Sequence, residues 1–322
     1  MKTIYLTPAD DIQSEINALK GPATVYLKNG IYRQKVKITS DNVTVIGEDR
    51  EKTVITFDDY ARKPHADGRE YNTFRTYTLL ITGNRVRLEN LTVENSNTHP
   101  EKDGQCVALS VNGDGFVAEN VDLKSMQDTL FTAPFPDDLV IRYSGLTDDE
   151  TYYDGFIPKD ELRLEGNKVH LFKNCRIYGT VDYVFGCAEA YFLNCEFISL
   201  FETRGTGFVA APAHSLNQSH GYVFLNCSFT SGGAAENSVY LARPWRDFGK
   251  CEFINCKVGG HIAPELFDKW NDTYRDKTAR FSYYNPESGL PLSPVKWSSE
   301  MTPEQATEII NYCNAKFKGN VR

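Results

Sequence analysis

Two aspartates in strand-like surroundings are the residues from which this chain can do chemistry. Asp182 stands in Gly179-Thr-Val-Asp-Tyr-Val-Phe-Gly186, a run of β-branched and aromatic residues closed by glycine at both ends. Such a run reads as a short buried strand. Asp128 has the same setting in Met126-Gln-Asp-Thr-Leu-Phe131. A carboxylate among these neighbours is costly unless it is paired or reactive. Two of them held close together cannot both ionise comfortably, so the pair shares its protons and offers an acid and a base at one point. A hydrolytic site needs that combination.

A repeat is what brings the two together. An asparagine with apolar residues on either side recurs in Leu88-Glu-Asn90, Val117-Ala-Glu-Asn120, Leu171-Phe-Lys-Asn174, Phe192-Leu-Asn194, Phe224-Leu-Asn226 and Phe253-Ile-Asn255, at separations of 30, 54, 20, 32 and 29 residues. Strand-and-turn units of this period, without helical patterning, predict a solenoid, and an all-β one: a parallel β-helix. Asparagines at equivalent turns are expected to hydrogen-bond one above another, and the Cys that follows four of them to stack as a small buried hydrophobe. Asp128 lies eight residues after Asn120, and Asp182 eight after Asn174. They therefore share one phase on consecutive coils, about 4.8 Å apart, if the excess length between them leaves the coil. That excess is the inserted segment 133–168, with Pro134, Pro136, Pro158 and the acidic, aromatic stretch Asp148–Asp154.

Further elements frame the repeat. Short β-rich runs are expected at 23–27, 36–38 and 43–46, the last closed by Gly47, after a short N-terminal helix over 8–19 with Ile12, Ile16 and Leu19 on one face. Thr302, Pro303 and Gln305 spell a capped helix start. The terminal helix they open should pack Ile309, Ile310, Cys313 and Phe317 back on the solenoid and cap it.

Around the aspartates, Gln127 and Gln105 offer uncharged amide donors suited to an oxyanion. Leu241-Ala-Arg-Pro-Trp-Arg246 brings Arg243, able to grip a carboxylate with two hydrogen bonds and keep it ionised, and Trp245, a flat face for a sugar ring. Each has a purely structural reading as well. The aspartates can stabilise turns through backbone N–H groups, the glutamines can belong to a ladder, Arg243 to an ion pair and Trp245 to the core. The constellation is more specific than its members.

Composition narrows the classes. The formal charge of −8 argues against nucleic acid, and a polyanionic ligand would have to be met by local Arg and Lys. No apolar run approaches a membrane span, and no linker divides the chain, so 1–322 reads as one domain, expected to be a monomer. The eight cysteines form no C-x-x-C pair and read as free buried thiols. With a first ten residues that lack the apolar core of a secretory signal, they favour the cytoplasm, or secretion if a signal has been removed. No G-x-S-x-G and no H-E-x-x-H occurs, and His214 and His220 read as structural or rim residues. Neither metal nor organic cofactor is signalled.

The chain resembles the pectin methylesterases (pectinesterases, carbohydrate esterase family 8). The likeness is carried by Gly30-Ile-Tyr32, Thr73-Phe-Arg, Gln105-Cys-Val-Ala-Leu109, Gln127-Asp-Thr-Leu130, Asp182-Tyr-Val-Phe-Gly186, Leu241-Ala-Arg-Pro-Trp245 and Val295-Lys-Trp297. It implies a right-handed parallel β-helix and cofactor-free hydrolysis of methyl esters of polygalacturonate or its oligosaccharides. By this resemblance Asp182 is the nucleophile, Asp128 the general acid and then base, Gln105 and Gln127 the oxyanion donors, and Arg243 the residue that orients Asp182. Phe74, Phe131, Val181, Phe185 and Trp245 fall where the family lines its sugar-binding cleft. Departures are Ala242 for the usual Gly, Gln34 for an acidic residue and Cys106 for Ala. The segment 133–168 is longer than in plant-like members and is expected to wall one end of the cleft and favour short oligomers.

Two other classes of function remain to be weighed. A β-helix galacturonase or lyase would act on the glycosidic bond, with carboxylates around an activated water or a Ca²⁺-binding acid cluster. Paired amides suit an oxyanion better than an oxocarbenium ion. A β-helix that acts on another ester, or binds carbohydrate without catalysis, would keep the aromatics and need no acid pair.

Overall fold

Asparagine sets the turns of this chain. At Asn90, Asn120, Asn174, Asn194, Asn226 and Asn255 the backbone takes φ values between 51° and 56°, the left-handed region that Asn tolerates better than other residues bearing a Cβ. Each is the first of the two residues between a strand of one sheet and a strand of the next. Asn285, φ 48°, continues the series one coil further. Asn120 donates to Asn90 at 2.6 Å and Asn285 to Asn255 at 3.2 Å, so side chains do bridge coils at this corner.

The computed structural model describes residues 2–19, 21–66, 68, 70–136, 138–139 and 166–317. Among these, every pairing between strands of the ladders is parallel, in sheets of eleven, nine and seven strands. The chain visits the three in turn, as in Val169–Lys173, Arg176–Gly179 and Val181–Gly186, and then begins the next coil. This is a parallel β-helix. The strands expected at 23–27, 36–38 and 43–46 are present, the last extending through Gly47. An additional strand, Lys2–Leu6, pairs with Ala23–Leu27 at the open end; no repeat signal marks it.

The interior follows from stacking one residue type on itself. Phe172, Phe192, Phe224 and Phe253 are ring-on-ring neighbours at 4.9, 4.9 and 4.5 Å, contacts that add to the burial of each ring. Cys175, Cys195, Cys227 and Cys256 are buried and free. Their thiols donate to carbonyl oxygens of the preceding coil, such as Cys227 Sγ to Phe192 O at 3.2 Å.

The N-terminal helix is shorter than the spacing predicts, Ile12–Asn17, because Asp11 caps it and Thr7–Asp10 is a side-chain-bonded turn. Ile12, Ile16 and Leu19 are buried in the main core as expected. The terminal helix, Pro303–Lys316, has its capping box. It covers a face of the eleven-stranded sheet, with Ile309, Cys313 and Phe317 against Leu171, Tyr191, Val223 and Ile254 and Ile310 only partly buried. Most of the inserted segment 133–168 lies outside the described residues. Of its start, Phe135 and Leu139 are buried and Asp138 pairs with Arg246 at 2.8 Å.

Candidate active site

Asp128 and Asp182 occupy a second set of corners, between the nine-stranded and seven-stranded sheets, and both have left-handed backbone, φ 62° and 50°. The alternative reading, in which these carboxylates stabilise turns by accepting from backbone N–H groups, does not describe Asp182, whose carboxylate is bound by the Arg243 side chain. The strands that follow pair Leu130 with Val184 and Phe131 with Phe185, and Asp128 N donates to Val181 O at 3.0 Å. The two aspartates are thus stacked in register on neighbouring coils, at the floor of a cleft of about 330 Å³.

Their environments differ. Asp182 accepts two hydrogen bonds from Arg243, Nε to Oδ1 at 2.8 Å and Nη2 to Oδ2 at 2.6 Å. The guanidinium lies between two aromatic faces, 3.8 Å from the Phe208 centroid and 3.9 Å from that of Trp270. A planar cation held this way cannot turn from the carboxylate. Asp128 has no such partner. Burial and the neighbouring Asp182 charge push its carboxyl well above the usual range, against weaker opposing influences from Gln127, Arg243 and Arg204. One carboxylate is held by a guanidinium, and the other sits where burial and a like charge favour its protonated form.

Gln105 and Gln127 both line the cleft. Gln127 Oε1 accepts from Arg204 Nη2 at 3.0 Å, which leaves its amide hydrogens for the side on which Asp128 lies. Phe74, Phe185 and Trp245 form an apolar wall, with Phe185 and Trp245 5.8 Å apart edge to face. Phe131 and Val181 do not reach the cleft. Phe131 is 0% exposed, roofed by Phe74 and Phe135 at 4.8 Å each. It supports the wall from behind. Val181 precedes Asp182 in the strand and is not among the residues that line the cleft.

Sequence reasoning missed Arg204, Phe208 and Trp270, which come from segments without the asparagine pattern; the clue was only that cations and aromatics lie there. Thr73 and Ala211 complete the lining. His214 is structural, its ring bonded to Ala188 O and Lys250 N, its pKa lowered by burial to about 3. His220 stacks on Tyr312 beside a separate cavity under the terminal helix. Among the described residues no group of His, Cys, Asp and Glu converges as a metal centre.

The pectinesterase family model matches residues 2–135 and 159–320. This chain belongs to the pectinesterase family. The stretch the family model skips, 136–158, falls inside the inserted segment read from the repeat. Among curated pectinesterases of Arabidopsis thaliana, the chain is 28% identical over 311 residues to probable pectinesterase/pectinesterase inhibitor 64, covering 90% of this chain and 45% of that protein. It is also 28% identical over 297 residues to pectinesterase 31, covering 89% of this chain and 81% of that one. The chain thus spans less than half of the first of these relatives. Pectin methylesterase PemA from Erwinia chrysanthemi shares the fold, with a TM-score of 0.75, 23% identity and coverage of 95% of this chain and 94% of that one. So does the carrot pectin methylesterase, at 0.76 and 20%, covering 95% and 89%.

The departures from the family pattern have local explanations. Gln34 holds the N-terminal helix, accepting from Ile12 N at 2.8 Å and donating to Asp10 O at 2.7 Å. Cys106 is buried against Ser125, 3.2 Å away. Ala242 ends the strand that delivers Arg243, and the methyl group coexists with the bidentate grip on Asp182. No helix of the described residues is long and apolar enough to cross a membrane.

Proposed function

We propose that this pectinesterase-family chain hydrolyses methyl esters of galacturonate residues in pectin or pectic oligosaccharides and releases methanol. The observation that carries this reading is the unequal pair: Asp182 gripped by Arg243, and Asp128, stacked one coil away without such a partner, its carboxyl raised well above the usual range by burial and by Asp182. Asp182 attacks the C6 carbonyl carbon, whose oxygen takes up the electron pair and is stabilised by the amides of Gln105 and Gln127. As the tetrahedral species collapses, Asp128 gives its proton to the departing methoxy oxygen. Methanol leaves, and an anhydride joins Asp182 to the uronate. Asp128, now a carboxylate, takes a proton from water, which attacks the anhydride. The product acid departs, Asp182 is again ionised and Asp128 again protonated.

Phe74, Phe185, Trp245 and Trp270 supply faces for sugar rings, with Phe131 and Val181 behind them. One similar solved structure is a pectin methylesterase in complex with a hexasaccharide, which supports a pectic oligosaccharide as the ligand class. The test is methanol release from methylated oligogalacturonides and from polymeric pectin. Methanol without chain shortening and without unsaturated product supports the esterase. Shortened or unsaturated chains would support a galacturonase or lyase, and binding without turnover would support the non-catalytic reading.

A further inference from the structure

We infer that Arg204, clamped by Glu202, is a positioning residue for this reaction: it fixes the orientation of the Gln127 carboxamide and so commits its N–H donors to the reacting carbonyl. This inference rests on the esterase reading above and adds a residue to it.

An amide side chain can present oxygen or nitrogen to the same point with nearly the same shape. For a donor in an oxyanion site the wrong choice is disabling, because oxygen would face the developing negative charge. Something must therefore take up Oε1. Arg204 does so, through Nη2 at 3.0 Å. Arg204 has only donors, so Gln127 can meet it with oxygen alone. The guanidinium is itself held by Glu202, Nε to Oε1 at 2.7 Å and Nη2 to Oε2 at 2.9 Å. The Arg204 backbone N–H adds a third bond to Glu202 Oε1 at 2.8 Å. Glu202 is buried, whereas the Arg204 side chain is 44% exposed. Burial alone would raise the Glu202 carboxyl, but hydrogen bonds from Arg204 and from Thr180 outweigh it and hold it low. The anchor thus stays charged, and it also reaches the corner that carries Asp182.

A second consequence concerns Asp128. The charged and polar groups facing it are Asp182, Gln127, Arg243 and Arg204, with the Cys106 thiol nearby. Burial and Asp182 raise its pKa, and Arg204 is one of the influences that oppose them. Removal of the Arg204 charge should extend the protonated form of Asp128 to higher pH.

The experiment is a double-mutant cycle on the full chain, with methylated oligogalacturonide as substrate. Arg204→Ala should lower kcat about tenfold or more, but less than the ~10²–10³ lost with an oxyanion donor, with KM within about twofold. In a Gln127→Ala background the same change should cost less than about twofold, because the amide it orients is gone. The basic limb of the kcat profile should move to higher pH in Arg204→Ala and return in Arg204→Lys, with kcat still reduced. Glu202→Gln should lower kcat in the same direction by a smaller factor, and it carries the test if the Arg204 variants do not fold. A raised KM at unchanged kcat would make Arg204 a contact for substrate and overturn the inference. So would fully multiplicative losses in the cycle. Either result, with wild-type methanol release intact, leaves the esterase reading standing; absence of wild-type release overturns both.

Discussion

Arg243→Lys isolates the geometry of the Asp182 grip from its charge. Lysine keeps the positive charge but replaces a planar fork by a single point, so one of the two hydrogen bonds at 2.8 and 2.6 Å is lost. A hydrogen bond to a charged group contributes about 1.5–3 kcal/mol. If Asp182 needs both bonds to present its attacking oxygen, the barrier rises by that amount, and kcat falls about 10- to 150-fold. KM should barely change, since the lost contact is not with substrate. The stack between Phe208 and Trp270 is lost as well, at a cost of about 1 kcal/mol in this partly desolvated site. For a chain of this size that corresponds to a fall of about 2 °C in Tm. Steady-state methanol release over a range of substrate concentrations, beside a thermal melt, reads both. An unchanged kcat would refute the reasoning, because the fork would then be ornamental to catalysis.

Three further outcomes follow from the same geometry. Asp182→Asn should lose at least about 10³-fold in turnover with its melt nearly intact, whereas Asp182→Ala should lose as much activity and about 1 kcal/mol of stability, since φ 50° suits Asn better than Ala. Asp128 is raised in the folded state, so the stability it contributes is full below the ordinary carboxylate pKa of about 4 and is lost as pH rises from there to its raised value. Melts across pH should therefore show Asp128→Asn gaining on the wild type as pH rises through that window, and a constant difference would contradict the assignment. Asn120→Ala should lower stability by about 1 kcal/mol, and Asn120→Gly by less, because glycine adopts φ 55° freely; equal losses would show that the side-chain ladder, not the backbone, sets the cost.

The helix of strands was legible because its corners are written in one residue type. Asn at each left-handed pivot gave the period, and Asp128 and Asp182 kept phase with it across an insertion. Their own left-handed backbone was not foreseen, although Asp shares with Asn the tolerance that makes it possible. The family resemblance puts Phe131 among the cleft residues, but a matched position does not show what roofs a side chain; Phe74 and Phe135 cover this one. Arg204, Phe208 and Trp270 escaped notice for a related reason. Their partners are fixed by how neighbouring coils pass one another, and no spacing in the chain records that Arg204 would meet Gln127, 77 residues earlier. The strand Lys2–Leu6 went unread because it precedes the first repeat.

The most direct test of the central claim is to trap the bond between Asp182 and the substrate. Asp128→Asn removes the group proposed to protonate the leaving alcohol and then to activate water, so an ester with a good leaving group should still acylate the enzyme, and the acyl group should not be hydrolysed off. Quenched-flow release of that leaving group, followed by mass analysis of the digested protein, should show a burst of one equivalent per active site and a single uronyl adduct on the peptide that carries Asp182. Continued release with no adduct, or an adduct on another residue, would contradict covalent catalysis by Asp182.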